Sequence, residues 1–141
     1  MKNTVLKNTG AVIAGFVAAL ILTIGMDTIL EGTGIFPTVE EQQKYGFNVL
    51  WMNILAILYR MVFTAFGGYL TAKISTGNPM RNVNILGVAG TIIAVIANTA
   101  VSQIPEMANV LPLWFSFALV LIAYPSARLG GRLAVKNSNN E

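Results

Sequence analysis

Cysteine and histidine are both absent from the 141 residues, and charged residues make up only 11% of them. No cysteine means no disulfide, no thiolate nucleophile and no thiolate metal ligand; the redox compartment stays open. No histidine removes the usual acid–base group, metal ligand and pH switch near neutrality. A soluble domain carries about 25% charged residues to wet its surface, so a charge content under half of that argues against a soluble globular enzyme. Intrinsic disorder is equally disfavoured, because it needs low hydrophobicity and high charge. What fills the chain is apolar: 55% hydrophobic residues and a mean hydropathy of +0.65.

The apolar residues fall into four runs: 9–30, 49–74, 83–104 and 111–129. Each reaches the roughly 20 residues that a helix needs to cross the hydrocarbon core. They are about twice the length of a barrel strand and lack strict alternation, so helices are expected rather than strands. The fold expected is all-α: a single integral membrane domain, 1–141, built as a four-helix bundle with a polar tail at 137–141. The first run resembles a signal peptide in having Lys2 and Lys7 before Ala11–Ile24, but no small-x-small cleavage site follows at Gly25-Met26-Asp27-Thr28. It is read as a retained span.

Charge then sets the orientation. Lys2, Lys7, Lys73, Arg81, Arg128, Arg132 and Lys136 gather at one end of the spans, whereas Asp27, Glu31, Glu40, Glu41 and Glu106 share the other with Lys44 alone. The positive-inside rule places both termini in the cytoplasm. Trp51 and Trp114 near the outer ends, and Tyr69 and Tyr124 toward the inner ends, read as interfacial anchors.

The outer loop 31–48 contains Pro37-Thr38-Val39-Glu40-Glu41. Thr38 with Glu41 three residues later is a capping box, and Gly46 ends a helix of about two turns. This segment is read as a connector on the membrane surface, with a lid over an outward-facing cavity as the alternative. Gly67-Gly68-Tyr69-Leu70-Thr71-Ala72-Lys73 and Gly130-Gly131-Arg132-Leu133-Ala134-Val135-Lys136 place a glycine pair, a leucine and a lysine at equal offsets. A parallel hairpin repeat would explain the echo. Independent need for small residues and a terminal cation explains it as well.

Any site should lie among polar residues that a bilayer penalises. In the second span Asn53, Ala56, Arg60, Thr64, Gly67 and Thr71 share one helical face. The third span aligns Asn84, Gly87, Thr91, Ala94, Asn98 and Ser102 opposite Leu86, Ile93 and Ile96. The fourth offers Pro112, Ser116, Ala123, Ala127 and Gly130, and the first Ala11, Gly15 and Ala19, as surfaces for close approach.

Arg60 stands out, since a central arginine costs roughly 2.5–3.5 kcal/mol on insertion scales. At 1.5 Å per residue it lies about 21 Å above the inner end, Asn98 at about 22 Å and Asp27 at about 27 Å. A buried polar cluster of Arg60, Asp27 and Asn98 is therefore expected, with Asn53 and Ser102 beside it. It marks either an ion or solute pathway or a charge pair that fixes helix register. Pro125 deletes the bond to the Leu121 carbonyl and is the expected site of a kink in the last span.

The motifs Gly67–Lys73, Asn78-Pro79-Met80-Arg81-Asn82 with a Gly87-containing span, and Tyr124–Leu133 resemble uncharacterised small bacterial four-span inner-membrane proteins. The resemblance covers the second half of the chain and implies a bacterial inner-membrane location without implying an activity. Better-known four-span families fit poorly. Small multidrug exporters embed a glutamate within the first span, fluoride channels carry Gly-x-Thr-Thr-Phe, and quinone-coupled oxidoreductases need cysteine pairs. No phosphate-binding loop is present, because Gly32-Thr33-Gly34 lacks a lysine and a strand–helix context.

The expectation is thus no enzyme, no catalytic residues, no cofactor, no metal and no nucleic-acid partner. The partners expected are the lipid bilayer and a second copy or another membrane protein. The role expected is a structural, accessory or oligomerising membrane subunit; the alternative is a small transporter or channel using Arg60, Asp27 and Asn98.

Overall fold

A computed structural model describes residues 1–140. Five helices are present and, among these residues, no strand: α1 Lys2–Gly32, α2 Val39–Tyr45, α3 Leu50–Ile74, α4 Pro79–Ser102 and α5 Leu113–Ser138. All but α2 are long and apolar enough to cross a membrane. The helices outrun the apolar spans. α1 begins at Lys2 and α5 continues nine residues past Leu129, because Arg132, Ala134 and Lys136 favour helix although they do not belong in hydrocarbon. The tail expected at 137–141 therefore starts as the last turn of α5; Glu141 lies outside the described residues. α4 starts early, with Asn78 capping the Arg81 N–H and Pro79 in the first turn.

Met1, Asn140 and the Ser75–Asn78 link lie at one end of the bundle, called the base; the opposite end is the cap. α3 packs most extensively on α5, with α1 against α3 and α4 against α5. Each glycine pair serves two neighbours at once. A Cβ on Gly67 would strike the Gly15 carbonyl of α1, and one on Gly68 the Ala127 carbonyl of α5. A Cβ on Gly130 would strike the Ala65 carbonyl of α3, and one on Gly131 the Val83 side chain of α4. Close backbone approach is thus reason enough for a glycine pair at each site. The contacts are also not equivalent between hairpins, since α3 touches α4 while α1 and α5 do not touch among the described residues.

At the base, Ala11, Thr71, Val83 and Ala127 are at most 1% exposed, so this end is sealed. Thr71 Oγ1 donates to the Ala11 carbonyl (3.2 Å), and the Asn8 side chain ties α1 to Thr76 (2.9 and 3.2 Å). At the cap, α2 carries the Thr38/Glu41 capping box and ends at Gly46 with φ 75°. α2 itself buries no residue, as a surface connector would, and the chain is anchored on either side of it. Phe36 and Phe47 are each 4% exposed and meet edge-on at 5.1 Å, and Phe47 leans on Phe115 at 6.5 Å. The Phe47 N–H donates to the Val110 carbonyl at 2.6 Å, joining the two cap loops.

Two expectations about faces change. Leu86, placed on the lipid side, is buried against the other helices. Tyr124, read as an interfacial anchor, donates to Asn84 Oδ1 at 3.1 Å and lies over Gly87, where a side chain on the glycine would displace it. α5 runs unbroken through Pro125, and the next two residues, Ser126 and Ala127, are buried.

Candidate functional site

Arg60 and Asp27 meet. Arg60 Nη2 donates to Asp27 Oδ2 at 2.8 Å, the one salt bridge among the described residues. Asp27 Oδ1 accepts from the Tyr59 hydroxyl, which in turn accepts from Arg60 Nη1 at 2.9 Å. Arg60 Nη1 also reaches the Ala56 carbonyl of its own helix at 3.4 Å, and the guanidinium lies 5.0 Å from the Tyr59 ring centroid. The three side chains form a closed ring that neutralises both embedded charges and joins α1 to α3. Of five guanidinium donors, three are engaged; Nε–H and one Nη2–H have no partner among the described residues.

Asn98, Asn53 and Ser102 do not join this ring. Asn98 Nδ2 donates back to the Ala94 carbonyl (2.9 Å), and Ser102 Oγ to the Thr99 carbonyl (2.7 Å). Asn98 and Ser102 lie on the half of α4 toward the cap, away from its buried contacts. Its buried residues, Asn82, Val83, Leu86 and Gly87, all sit near the base, and the half toward the cap is uncovered. Asn98 and Ser102 instead line a groove of about 340 Å³ between α4 and α5, with Ser116 opposite. Asn53 is fully buried about 10 Å nearer the cap than Arg60. Its Nδ2 donates to the Phe47 carbonyl at 3.0 Å, so it holds the cap segment, while its Oδ1 is buried without a partner.

Tyr59 was not anticipated. It falls outside the polar face of α3, and its signal is positional: a tyrosine beside a mid-span arginine departs from the interfacial preference of that residue. Behind the ring, all four long helices line a cavity of about 230 Å³. Its walls are mainly alanine, leucine and glycine, with Arg60, Thr64 and Thr23 as polar groups. A Cβ on Gly90 would meet nothing within 4 Å, which marks the open side of this space. Among the described residues, no three acidic side chains gather as metal ligands.

What this arrangement can do chemically is limited. It holds two charges in an apolar setting and leaves two N–H donors and two hydroxyls beside a small apolar space; it contains no activated nucleophile or base. Neither protein-family profiles, nor characterised proteins, nor solved structures contain a match to this chain.

Proposed function

We propose that this chain is a multi-pass protein of the bacterial inner membrane, with both termini cytoplasmic, that serves as a structural or accessory subunit. The observation that carries the reading is the closed Asp27–Tyr59–Arg60 ring. A pathway residue needs a charge free to exchange partners, whereas here each embedded charge is neutralised by the other and fixes α1 against α3. The sealed base and the packed cap support the same reading, since neither end offers a channel. The groove holding Asn98, Ser102 and Ser116 gives such a subunit polar groups to offer a neighbouring membrane helix.

The four-helix cavity favours a second reading, a small-solute transporter using Arg60. Liposome reconstitution separates the two. Wild type and the Arg60→Met/Asp27→Leu double variant are expected to show equal, background solute flux. Both are expected to migrate at the same assembly mass when extracted from their native membrane. Solute movement that disappears in the double variant would overturn the structural reading.

A further inference from the structure

Arg81 has no internal task. Its side chain is exposed and, among the described residues, makes neither an ion pair nor a hydrogen bond; only its backbone N–H is used, by the Asn78 cap. Its polar neighbours are committed elsewhere. Asn8 is bound to Thr76, and Asn82 Nδ2 donates to Ser75 Oγ at 3.0 Å. Yet Arg81 stands at the head of an apolar groove and of an apolar helix face. The groove, of about 290 Å³, lies between α1 and α4 and is walled by Val12, Ile13 and Ile85. Beside it runs the exposed apolar face of α4 itself, with Ile85, Val88 and Ile92. Ile85 borders both, one turn beyond Arg81, so the two residues form a ridge between the groove and the open face.

We propose that this ridge is a binding site for one anionic diacyl phospholipid, its phosphate on Arg81, one acyl chain in the groove between α1 and α4 and the other along the open face of α4. The polarity runs the right way, with a cation at the base end and isoleucine and valine beyond it. The reach fits as well. From Arg81 to Ile92 is about 16 Å along the helix, close to half of a roughly 30 Å hydrocarbon core, hence one leaflet. Charge selects the lipid. Seven cations gather at the base, and every acidic residue among those described lies toward the cap, so an anionic head group is attracted and a zwitterionic one much less. The proposal rests on the bilayer placement given above and is independent of the role of Arg60.

Native mass spectrometry of the purified full chain tests it, with dioleoyl phosphatidylglycerol, dioleoyl phosphatidylcholine, glycerol 3-phosphate and inorganic phosphate as probes. One phosphatidylglycerol per chain is expected to be retained, with roughly five-fold preference over phosphatidylcholine, the worth of one cation at an anionic surface. Arg81→Gln should abolish that preference, Arg81→Lys should keep most of it, and Lys136→Gln should leave it unchanged. Val12→Trp, which fills the groove, should weaken retention of either lipid. Equal binding of the two lipids by the wild type would overturn the proposal, a result that does not depend on any variant folding. Displacement of the lipid by inorganic phosphate or glycerol 3-phosphate would overturn it in favour of a free-anion site. A chain that partitions into neither detergent micelles nor vesicles would instead overturn the membrane reading beneath it.

Discussion

Asp27 accepts from two donors, and the consequences of losing each differ. Tyr59→Phe removes both hydrogen bonds of its hydroxyl, to Asp27 and from Arg60, but leaves the ion pair in place, and is expected to cost about 1.5–3 kcal/mol of stability. Arg60→Met alone leaves a carboxylate in an apolar setting without its counter-charge, a larger loss of about 3–5 kcal/mol. Replacing both, as Arg60→Met/Asp27→Leu, should recover most of that loss, because no unpaired charge remains. Unfolding titrations of the purified variants in detergent check the order: the double variant should unfold later than Arg60→Met, and equal or earlier unfolding would show that the pair does more than neutralise itself. At this scale Arg60 and Asp27 were legible, since charges in long apolar runs are conspicuous and 1.5 Å per residue gives their height. Asn98 was misplaced because height along a helix says nothing about lateral distance.

Helix-to-helix contact in this bundle is governed by where backbones touch. Gly68 and Gly130 each sit against a carbonyl of the facing helix, so Gly68→Ala and Gly130→Ala should force α3 and α5 apart. The expected loss is about 1–3 kcal/mol, as for overpacking elsewhere. Gly10 and Gly25 have open space where a Cβ would go, and alanine there should be neutral or stabilising by up to about 1 kcal/mol through helix propensity. Thermal stability of the four variants, measured side by side, checks the contrast. The cap is a different kind of contact. Phe47 is enclosed by Phe36, Phe115 and Val110, so Phe47→Ala should cost about 3 kcal/mol and release the segment before α3 to proteolysis. The capping box of α2 could be read directly, because it is local chemistry over four residues. The burial of Phe47 could not, because its partners lie 11 residues away at Phe36 and more than 60 away at Val110 and Phe115.

For the whole molecule, orientation is the decisive property, and the lack of cysteine makes it simple to measure. Gln43→Cys in the cap and Asn137→Cys at the end of α5 each introduce a single thiol. With both termini cytoplasmic, an impermeant maleimide should label Gln43→Cys in intact spheroplasts and Asn137→Cys only after lysis. The reverse pattern would overturn the orientation and, with it, the leaflet assigned to the lipid on Arg81.

The sequence by itself determined the number of long helices, their polar faces and the separation of charge between the two ends. Those properties follow from composition and periodicity, which act over one helix at a time. Only the tertiary structure decided that α4 buries residues only in its base half and leaves Asn98 and Ser102 apart from Arg60, that Tyr59 completes the ring between Asp27 and Arg60, and that Phe47 joins the two cap loops. Each of these depends on how far two backbones approach one another. That distance is set where Gly15, Gly67, Gly68 and Gly130 meet their neighbours, and no pattern within a single helix encodes it.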